Sequence, residues 1–403
     1  MSLGRISVFG LFIFIVSCKK YIIKLITMNK FISLIKIKAI IGALFVCSAI
    51  TVSCTNEPIL RVISVNPESD DAEKIMKEIT VVSILQLDNS VPIGQIRKMQ
   101  KNDNSYYILN KSTEEILCFN ESGGVSFVIS DKGRGPREYL AIDNFFVDQS
   151  DNTIVVLTTN KILRYSAQDG SLISVKDVSY LFINDGIMLD SKTEALYTMG
   201  SEYNLTITDK SNDVIKYHIP FLEGRDLAFT NKAFAAQSDN NILFCHGMND
   251  TIYSIKSIDM VSPYCYVDFG SYKIDPNLYL EENGESKIQS IYESREVAVK
   301  LDDISASNNF ISFSYWLMPP NSTDININHV MYNISKGASY NMKSNSCYLF
   351  PISDVTKDGV FISVVHPVSI IGHEFNLEDV NKFISDNNIK DDNNPLIIIW
   401  KLH

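Results

Sequence analysis

Long apolar runs are scarce in this chain of 403 residues. Two lie near the N-terminus, residues 8–16 and 39–50, and each is shorter than the roughly 20 apolar residues a membrane-spanning helix needs. Cysteine is sparse as well. None of the seven cysteines forms a CxxC pair, and no histidine stands at zinc-finger spacing, which argues against a structural metal site. Catalytic signatures are missing too: there is no G-x-S-x-G, no P-loop and no H-E-x-x-H. The six histidines (His218, His246, His329, His366, His373 and His403) are scattered. His366 and the His373-Glu374 pair come nearest to one another and read as a loop cluster. The carboxylate pairs Asp302-Asp303, Glu281-Glu282 and Asp391-Asp392 read as solvated loop charges, since glycosidase acids are defined by separation in space. No D-x-[DN]-x-[DN]-G loop occurs, although Asp/Asn-rich turns supply oxygens that a structural calcium could take. No cofactor and no catalytic residue is assigned.

Basic charge is also deficient, except at one end. Residues 1–53 hold seven of the 36 Lys and Arg and none of the 47 Asp and Glu, so the remainder carries 29 basic against 47 acidic residues, a net of −18. Such a domain repels phosphate backbones, which excludes sequence-independent nucleic-acid binding. The basic end has the form of a leader: Lys30, Lys36 and Lys38, then the apolar run 39–50, then small residues before a cysteine. Met28 suits a start, so residues 1–27 read as an over-extended start and 28–53 as a signal peptide. Ile15-Val16-Ser17-Cys18 is a rival cleavage signal, weakened by Lys19 and Lys20. Thr51-Val52-Ser53-Cys54 resembles a relaxed lipobox, which makes Cys54 the expected lipid-attachment residue. Acyl chains contribute about 0.8 kcal/mol per buried methylene, so several on one cysteine anchor a protein firmly. Residues 54–78 are polar and weakly periodic and read as a lipidated tether. Beyond the leader stand Cys118, Cys245, Cys265 and Cys347. Export would permit disulfides, but Cys118 and Cys245 sit in apolar strand-like runs where a buried free thiol fits better.

From about Ile79 the pattern changes to short β-branched and aromatic runs separated by Asn, Asp, Gly and Ser clusters, the mark of antiparallel strands and tight turns. Only residues 279–299 and 377–387 look helical. Three stretches share one form, an Asp/Asn turn, an apolar strand, a gap and a second strand. They are Asn102–Tyr106 with Glu115–Phe119, Asp151–Val155 with Ile162–Tyr165, and Asp239–Leu243 with Thr251–Ser254. Recurrence at about 40–50 residues is the spacing of four-stranded propeller blades. Residues 79–403 are therefore expected to form an all-β, six-bladed propeller of four-stranded antiparallel blades, with a short helical insertion and a short C-terminal helix. A pair of irregular β-sandwiches is the competing architecture. Either the terminal strand 395–402 or the run 79–87 would close the ring.

The segment Asp131-Lys132-Gly133-Arg134-Gly135-Pro136-Arg137-Glu138-Tyr139 resembles the G-x-G-P-x-E-Y signature of a bacterial family of six-bladed propeller lipoproteins, related in fold to NHL and TolB-type propellers. The "IGQIRKM" segment placed before the first blade, "FNESGG", and the C-terminal "DDNNPLIIIWKLH" extend the likeness over residues 80–403. Arg137 stands where the family more often has glycine. The resemblance implies architecture and an envelope address rather than an activity. The glycines and proline read as a turn. Arg134, Arg137, Glu138 and Tyr139 are nevertheless candidate binding residues, as are Tyr315 and Trp316, an aromatic pair before Pro319-Pro320 that could stack on a sugar or peptide. Asp250-Thr251-Ile252 also matches a short O-glycosylation acceptor motif of some Gram-negative anaerobes. The leading expectation is a binding module on a lipid anchor at the outer membrane, periplasmic or surface-exposed, recognising a glycan, a peptide or an envelope protein. A propeller hydrolase or lyase with a channel site, and a structural subunit of an envelope assembly, are the alternatives.

Overall fold

The computed structural model describes residues 60–402, apart from gaps at 179–181, 200, 223–224, 227, 229, 239, 357 and 374–376. Cys54, the leader and Glu374 lie outside the described residues.

The described chain is all-β and built mostly of four-stranded antiparallel sheets, as in a propeller. It begins with β1 (Arg61–Ser64), helix α1 (Ala72–Glu78) and β2 (Ile79–Gln86). Five consecutive meanders follow. Sheet 1 is β3 (Ile96–Asn102), β4 (Ser105–Asn110), β5 (Glu115–Phe119) and β6 (Val125–Ile129). Sheet 2 is β7 (Asn144–Asp148), β8 (Thr153–Leu157), β9 (Lys161–Ser166) and β10 (Leu172–Asp177). Sheet 3 is β11 (Phe182–Met188), β12 (Thr193–Met199), β13 (Tyr203–Asp209) and β14 (Val214–Pro220). Sheet 4 is β15 (Phe234–Ala236), β16 (Ile242–Phe244), β17 (Thr251–Ser257) and β18 (Met260–Asp268). Sheet 5 is β19 (Val297–Ala306), β20 (Phe310–Met318), β21 (Asn326–Asn333) and β22 (Ala338–Met342). Sheet 6 is β23 (Asp354–Val355), β24 (Phe361–Val365) and β25 (Leu396–Leu402), with β2 as its fourth strand.

The three repeat units fall on equivalent hairpins. Asp103, Asn152 and Asn240 have φ of 48°, 51° and 62°, each in the turn between the first and second strands of its sheet. A short polar side chain tolerates that left-handed conformation better than a bulky one. The second strand lies between neighbouring sheets and is buried on both faces. That is why β8 reads as the continuous apolar run TIVVL, with all five residues buried, instead of alternating. The fourth strand is outermost, and β10 alternates between part-buried and exposed positions.

Each neighbouring pair of sheets shares its own apolar layer. Tyr107 and Ile116 of sheet 1 meet Phe145 and Val156 of sheet 2, and Ile108 and Leu117 of sheet 1 meet Ile362 and Ile397 of sheet 6. The first strands touch in the order β3, β7, β11, β15, β19, β23, and β23 touches β3. The four described cysteines are free and buried in these layers.

Three expectations need correction. The stretch taken as tether is folded from Arg61 onward. β1 adds to sheet 4 in parallel with β18, and α1 buries Ala72, Ile75 and Met76 beside sheets 5 and 6. The i, i+3, i+4 pattern of these three residues spans only two turns and escapes a search for longer helices. The helix expected at 279–299 is a 3-10 turn (Pro276–Leu280) and a helix α2 (Gly284–Ser294), and the β-branched run from Val297 already belongs to β19. "IGQIRKM" does not precede the first sheet, because Ile96 opens its innermost strand. The C-terminal helix forms at Glu378–Asp386. The two strands proposed to close the ring pair with each other, Ile79 opposite Leu402 and Gln86 opposite Leu396.

Without β2, β25 would present an unpaired apolar edge, a template for aggregation. A chain starting at Asp88 is expected to elute as aggregate and to lose its cooperative thermal transition, whereas a chain starting at Leu60 stays monodisperse. Size-exclusion chromatography with a thermal melt checks this.

Candidate functional site

The innermost strands bring charge to the middle of the molecule. Their ladders are interrupted by register shifts at Ile96/Lys98 in β3, Ile183/Asp185 in β11, and Val299/Leu301 and Asp302/Ser305 in β19. Lys300 and Asp303 adopt φ of 59° and 50°. A bulge re-aims side chains and breaks strand alternation. Here the effect is to bury Asp185, Lys300 and Asp302 beside the part-buried Lys98, Lys232 and Asp354. The Asp302-Asp303 pair is therefore no solvated loop pair: Asp302 is 2% exposed.

These groups are spoken for. Lys98 Nζ lies 2.7 Å from Asp185 Oδ1, and Asp185 Oδ2 accepts from Ala233 N at 2.8 Å. Asp302 accepts from Asn231 N at 2.6 Å, from Asp303 N at 2.8 Å and from Lys300 Nζ at 2.9 Å. Lys232 Nζ donates to Ser305 Oγ at 2.7 Å and to the Ser353 carbonyl at 2.8 Å. Asp354 accepts from Lys101 N at 2.7 Å and Val355 N at 2.9 Å. Burial pulls the Lys232 pKa down, with Asp354 opposing. Burial, seconded by Asp302, pushes Asp303 up to about 7. A cavity of only about 100 Å³ remains between Lys98, Gln100, Lys232, Ser305 and Asp354. Five chain segments are tied together by this network, and little space is left for a substrate.

The glycine-proline motif is a structural turn between β6 and β7. Gly135 N donates to Glu138 Oε2 at 2.7 Å, and a Cβ on Gly133 would stand 1.9 Å from that oxygen and displace the carboxylate from this bond. Lys161 Nζ donates to the carbonyls of Gly135, Pro136 and Glu138 at 2.9–3.3 Å. Tyr139 is buried, and its hydroxyl donates to the Glu114 carbonyl at 3.0 Å. Arg134 and Arg137 are exposed. The pair Tyr315-Trp316 offers no stacking platform. Tyr315 is 0% exposed, with its hydroxyl bonded to Asn341 Oδ1 at 2.9 Å, and Lys300 Nζ sits 3.9 Å from the Trp316 ring centroid. Alternation along β20 sends these neighbours to opposite faces, and Tyr315 faces the layer between sheets 4 and 5. His373 Nε2 donates to the Asn345 carbonyl, 3.0 Å away, and His366 is part-buried with its pKa lowered by burial. No group of three or more His, Cys, Asp or Glu side chains able to hold a metal occurs among the described residues.

A second cavity, about 190 Å³, lies off the axis beneath the insertion that joins β18 to β19. Alternation along β17 puts Thr251 and Tyr253 on one face, and the register sets Tyr266 opposite Thr251. The 3-10 turn adds Tyr279, and the segment before it adds Ile274. Behind the wall, Arg225 grips Asp226 with Nε–Oδ1 at 2.7 Å and Nη2–Oδ2 at 2.9 Å, and the fully buried His246 has Nδ1 3.4 Å from Asp226 Oδ1. Burial works against ionised Asp226, but hydrogen bonds from His246 and Arg225 outweigh it and hold the carboxyl well below the usual range. Burial lowers the His246 pKa, so the ring is neutral at pH 7.

Asp250 differs from every axial carboxylate. It lines the cavity, yet its carboxylate accepts no hydrogen bond and forms no ion pair with any described residue. Desolvation pushes its pKa up to about 7, opposed by Lys273 and Arg225 at longer range and reinforced by Asp268. Sequence reasoning met Asp250 only inside a glycosylation motif. The partners that make it unusual come from β18 and the insertion, and no local spacing reports them. Thr251 of that motif is half-buried in the same wall.

Two stability experiments follow from these contrasts. Lys98→Met strands Asp185 without its cation and is expected to destabilise the fold by about 3–5 kcal/mol in urea denaturation, with much of the loss recovered in Lys98→Met/Asp185→Asn. For Asp250 the folded pKa, about 7, lies above the ordinary aspartate value of 3.8. The ionised form is thus disfavoured by folding, and stability falls as pH rises from 3.8 through 7. Asp250→Asn removes that burden, so its Tm is expected to exceed the parent's at pH 8 and to equal it near pH 3.5.

Comparisons with known proteins fit this fold. A protein described as exported, from Bacteroides fragilis, superimposes with a TM-score of 0.68 at 16% identity, covering 85% of this chain and 99% of that one. A DUF4221-family member from Bacteroides vulgatus gives 0.48 at 10% identity over 81% and 99%. A streptogramin B lyase gives 0.44 at 11% over 82% and 99%. The first likeness establishes a shared fold, and the other two are too distant to carry an argument about this chain. No curated protein matches the sequence. No helix among the described residues is long and apolar enough to cross a membrane. The family described as a domain of unknown function, DUF4934, matches residues 60–401, and the chain belongs to it.

Proposed function

We propose that this protein is a binding module of the bacterial cell envelope, a six-bladed β-propeller carried on acyl chains at Cys54 and taking its ligand in the off-axis cavity around Asp250. Six blades in a closed ring are supported by the separate apolar layer between each pair of neighbouring sheets, sheet 6 with sheet 1 included, and by the contact of β23 with β3. The lipid anchor is supported by the leader and by Thr51-Val52-Ser53-Cys54. A lipid-held chain entering the fold at Arg61 would be strapped across the outer edges of sheets 4 and 5 by β1 and by the bonds of Ser69 and Asp71 to Asn341.

One observation carries the choice of site. Charges at the axis are met by counter-charges, hydroxyls and backbone groups, whereas the part-buried Asp250 carboxylate has no partner among the described residues. Buried polar groups are normally paired, so an unpaired one beside a cavity marks a place where a ligand completes the set. The volume, about 190 Å³, is below the roughly 300 Å³ at which pockets for larger ligands begin. It suits one sugar ring at a glycan end, or one side chain of a peptide or an envelope protein.

Two measurements test the reading. Residues 55–403, labelled and applied to glycan and peptide arrays, are expected to retain a small set of related ligands whose capture is abolished by Tyr279→Ala. Retention unaffected by that change would move the site elsewhere. Metabolic labelling with an alkyne fatty acid is expected to tag the full chain and not Cys54→Ser. Equal labelling of both would remove the anchor.

A further inference from the structure

We infer that the off-axis cavity recognises a primary ammonium group, presented by a small free amine or by a lysine side chain. This rests on the reading of the cavity as the ligand site and adds the charge and chemical class of what enters it. The argument begins with the charges facing Asp250. Arg225 is held by both oxygens of Asp226. Lys273 is paired with Asp268 at 3.0 Å and lies 5.7 Å from the centroid of the Tyr266 ring. Tyr253 receives Asn249 Nδ2 on its hydroxyl at 3.2 Å. Once these pairs are set aside, one negative charge is left over among the described residues of the wall, and it belongs to Asp250.

The rest of the lining suits a cation. Tyr253, Tyr266 and Tyr279 converge on the cavity, and aromatic faces attract cations at short range, most strongly when water is excluded. Ile274 supplies an apolar surface for an alkyl stem. An ammonium group brings three donors and no acceptor, which matches a carboxylate that accepts nothing from the described residues. A neutral sugar would leave the charge of Asp250 uncompensated, and an anion would meet it head-on.

The same groups dictate the pH response. Near neutral pH part of the Asp250 population is protonated, because burial and Asp268 outweigh Lys273 and Arg225. An ammonium ligand favours the ionised form. Amine affinity is therefore expected to rise as pH increases from 6 to 8.5, while the ligand itself stays charged below its pKa of roughly 10.

The test is isothermal titration of residues 55–403 with cadaverine, with Nα-acetyl-lysine methylamide, and with the norleucine counterpart that lacks the amine, alongside methyl glucoside. Both amines, or the one whose source is correct, are expected to bind at pH 8. The norleucine compound is expected to show no heat. Asp250→Asn is expected to weaken the amine at least about 30-fold, the lower end of the effect of removing one partner from a desolvated charge pair. Its thermal melt at pH 8 reports that the variant is folded, and a crystal structure grown with cadaverine locates the ligand. Amine binding of equal strength in Asp250→Asn would overturn the inference. Methyl glucoside in the cavity with no amine binding would also overturn it while leaving the cavity as the ligand site. A cavity empty with every probe would remove both readings.

Discussion

A charge taken out of water must be paired, and this rule organises the molecule from its axis outward. Moving a carboxylate or ammonium into a protein interior costs several kcal/mol even after relaxation, and the loss is offset only when geometry supplies counter-charge and hydrogen bonds. At the axis Lys98 with Asp185, Lys300 with Asp302, and Asp354 with two backbone amides meet that demand. The bulges in β3, β11 and β19 are the backbone's response, since they turn consecutive residues toward one another where a regular strand would separate them. Each sheet contributes its apolar faces to a layer on either side, and the polar bundle registers their inner ends. Asp250 stands outside this arrangement, and the contrast is what gives it meaning.

The outer end of each sheet is ruled by a different demand, the need to cover strand edges. In sheet 6 the edge of β25 is occupied by β2, which comes from the N-terminal part of the fold and joins its second strand to its last. In sheet 4 the edge of β18 is occupied by β1. Between those two strands the chain crosses sheet 5, where Asn341 Nδ2 donates to the Ser69 carbonyl at 2.7 Å and Asp71 N donates to the Asn341 carbonyl at 2.7 Å. The N-terminal segment therefore fastens three sheets from outside while the axial charges fasten all of them from within.

Much of the architecture was legible because it is periodic. Asp103, Asn152 and Asn240 announce the same turn in three sheets, and the runs around Val155 and Leu243 announce the strand after it. The terminal strand and the 79–87 run stood out as alternative closing elements, but that they pair with each other was not legible. Less visible was whatever depends on distant partners. Nothing near Asp302 and Asp303 distinguishes them from a loop pair until β19 becomes an innermost strand with two bulges. Tyr315 and Trp316 look alike in the sequence, and only the sheet decides that one is core and the other lies under Lys300. The turn reading of Gly133, Gly135 and Pro136 came from backbone rules and needed no tertiary information, whereas the clamp by Lys161 did. Arg61–Ser64 and α1 were passed over because two short elements, each stable only against the sheets they cover, carry little periodic signal.

The central claim is that Asp250 is a part-buried carboxylate without a partner among the described residues, held beside a cavity by a fold whose axial charges are met by counter-charges or hydrogen bonds. A carbon-13 NMR titration of the aspartate carboxyl signals, with Asp250→Asn used to assign the resonance, measures this directly. A midpoint near 7 in the ligand-free protein is the predicted result. A midpoint near 3.8 would mean that water or a protein donor already satisfies the group, and would contradict the account.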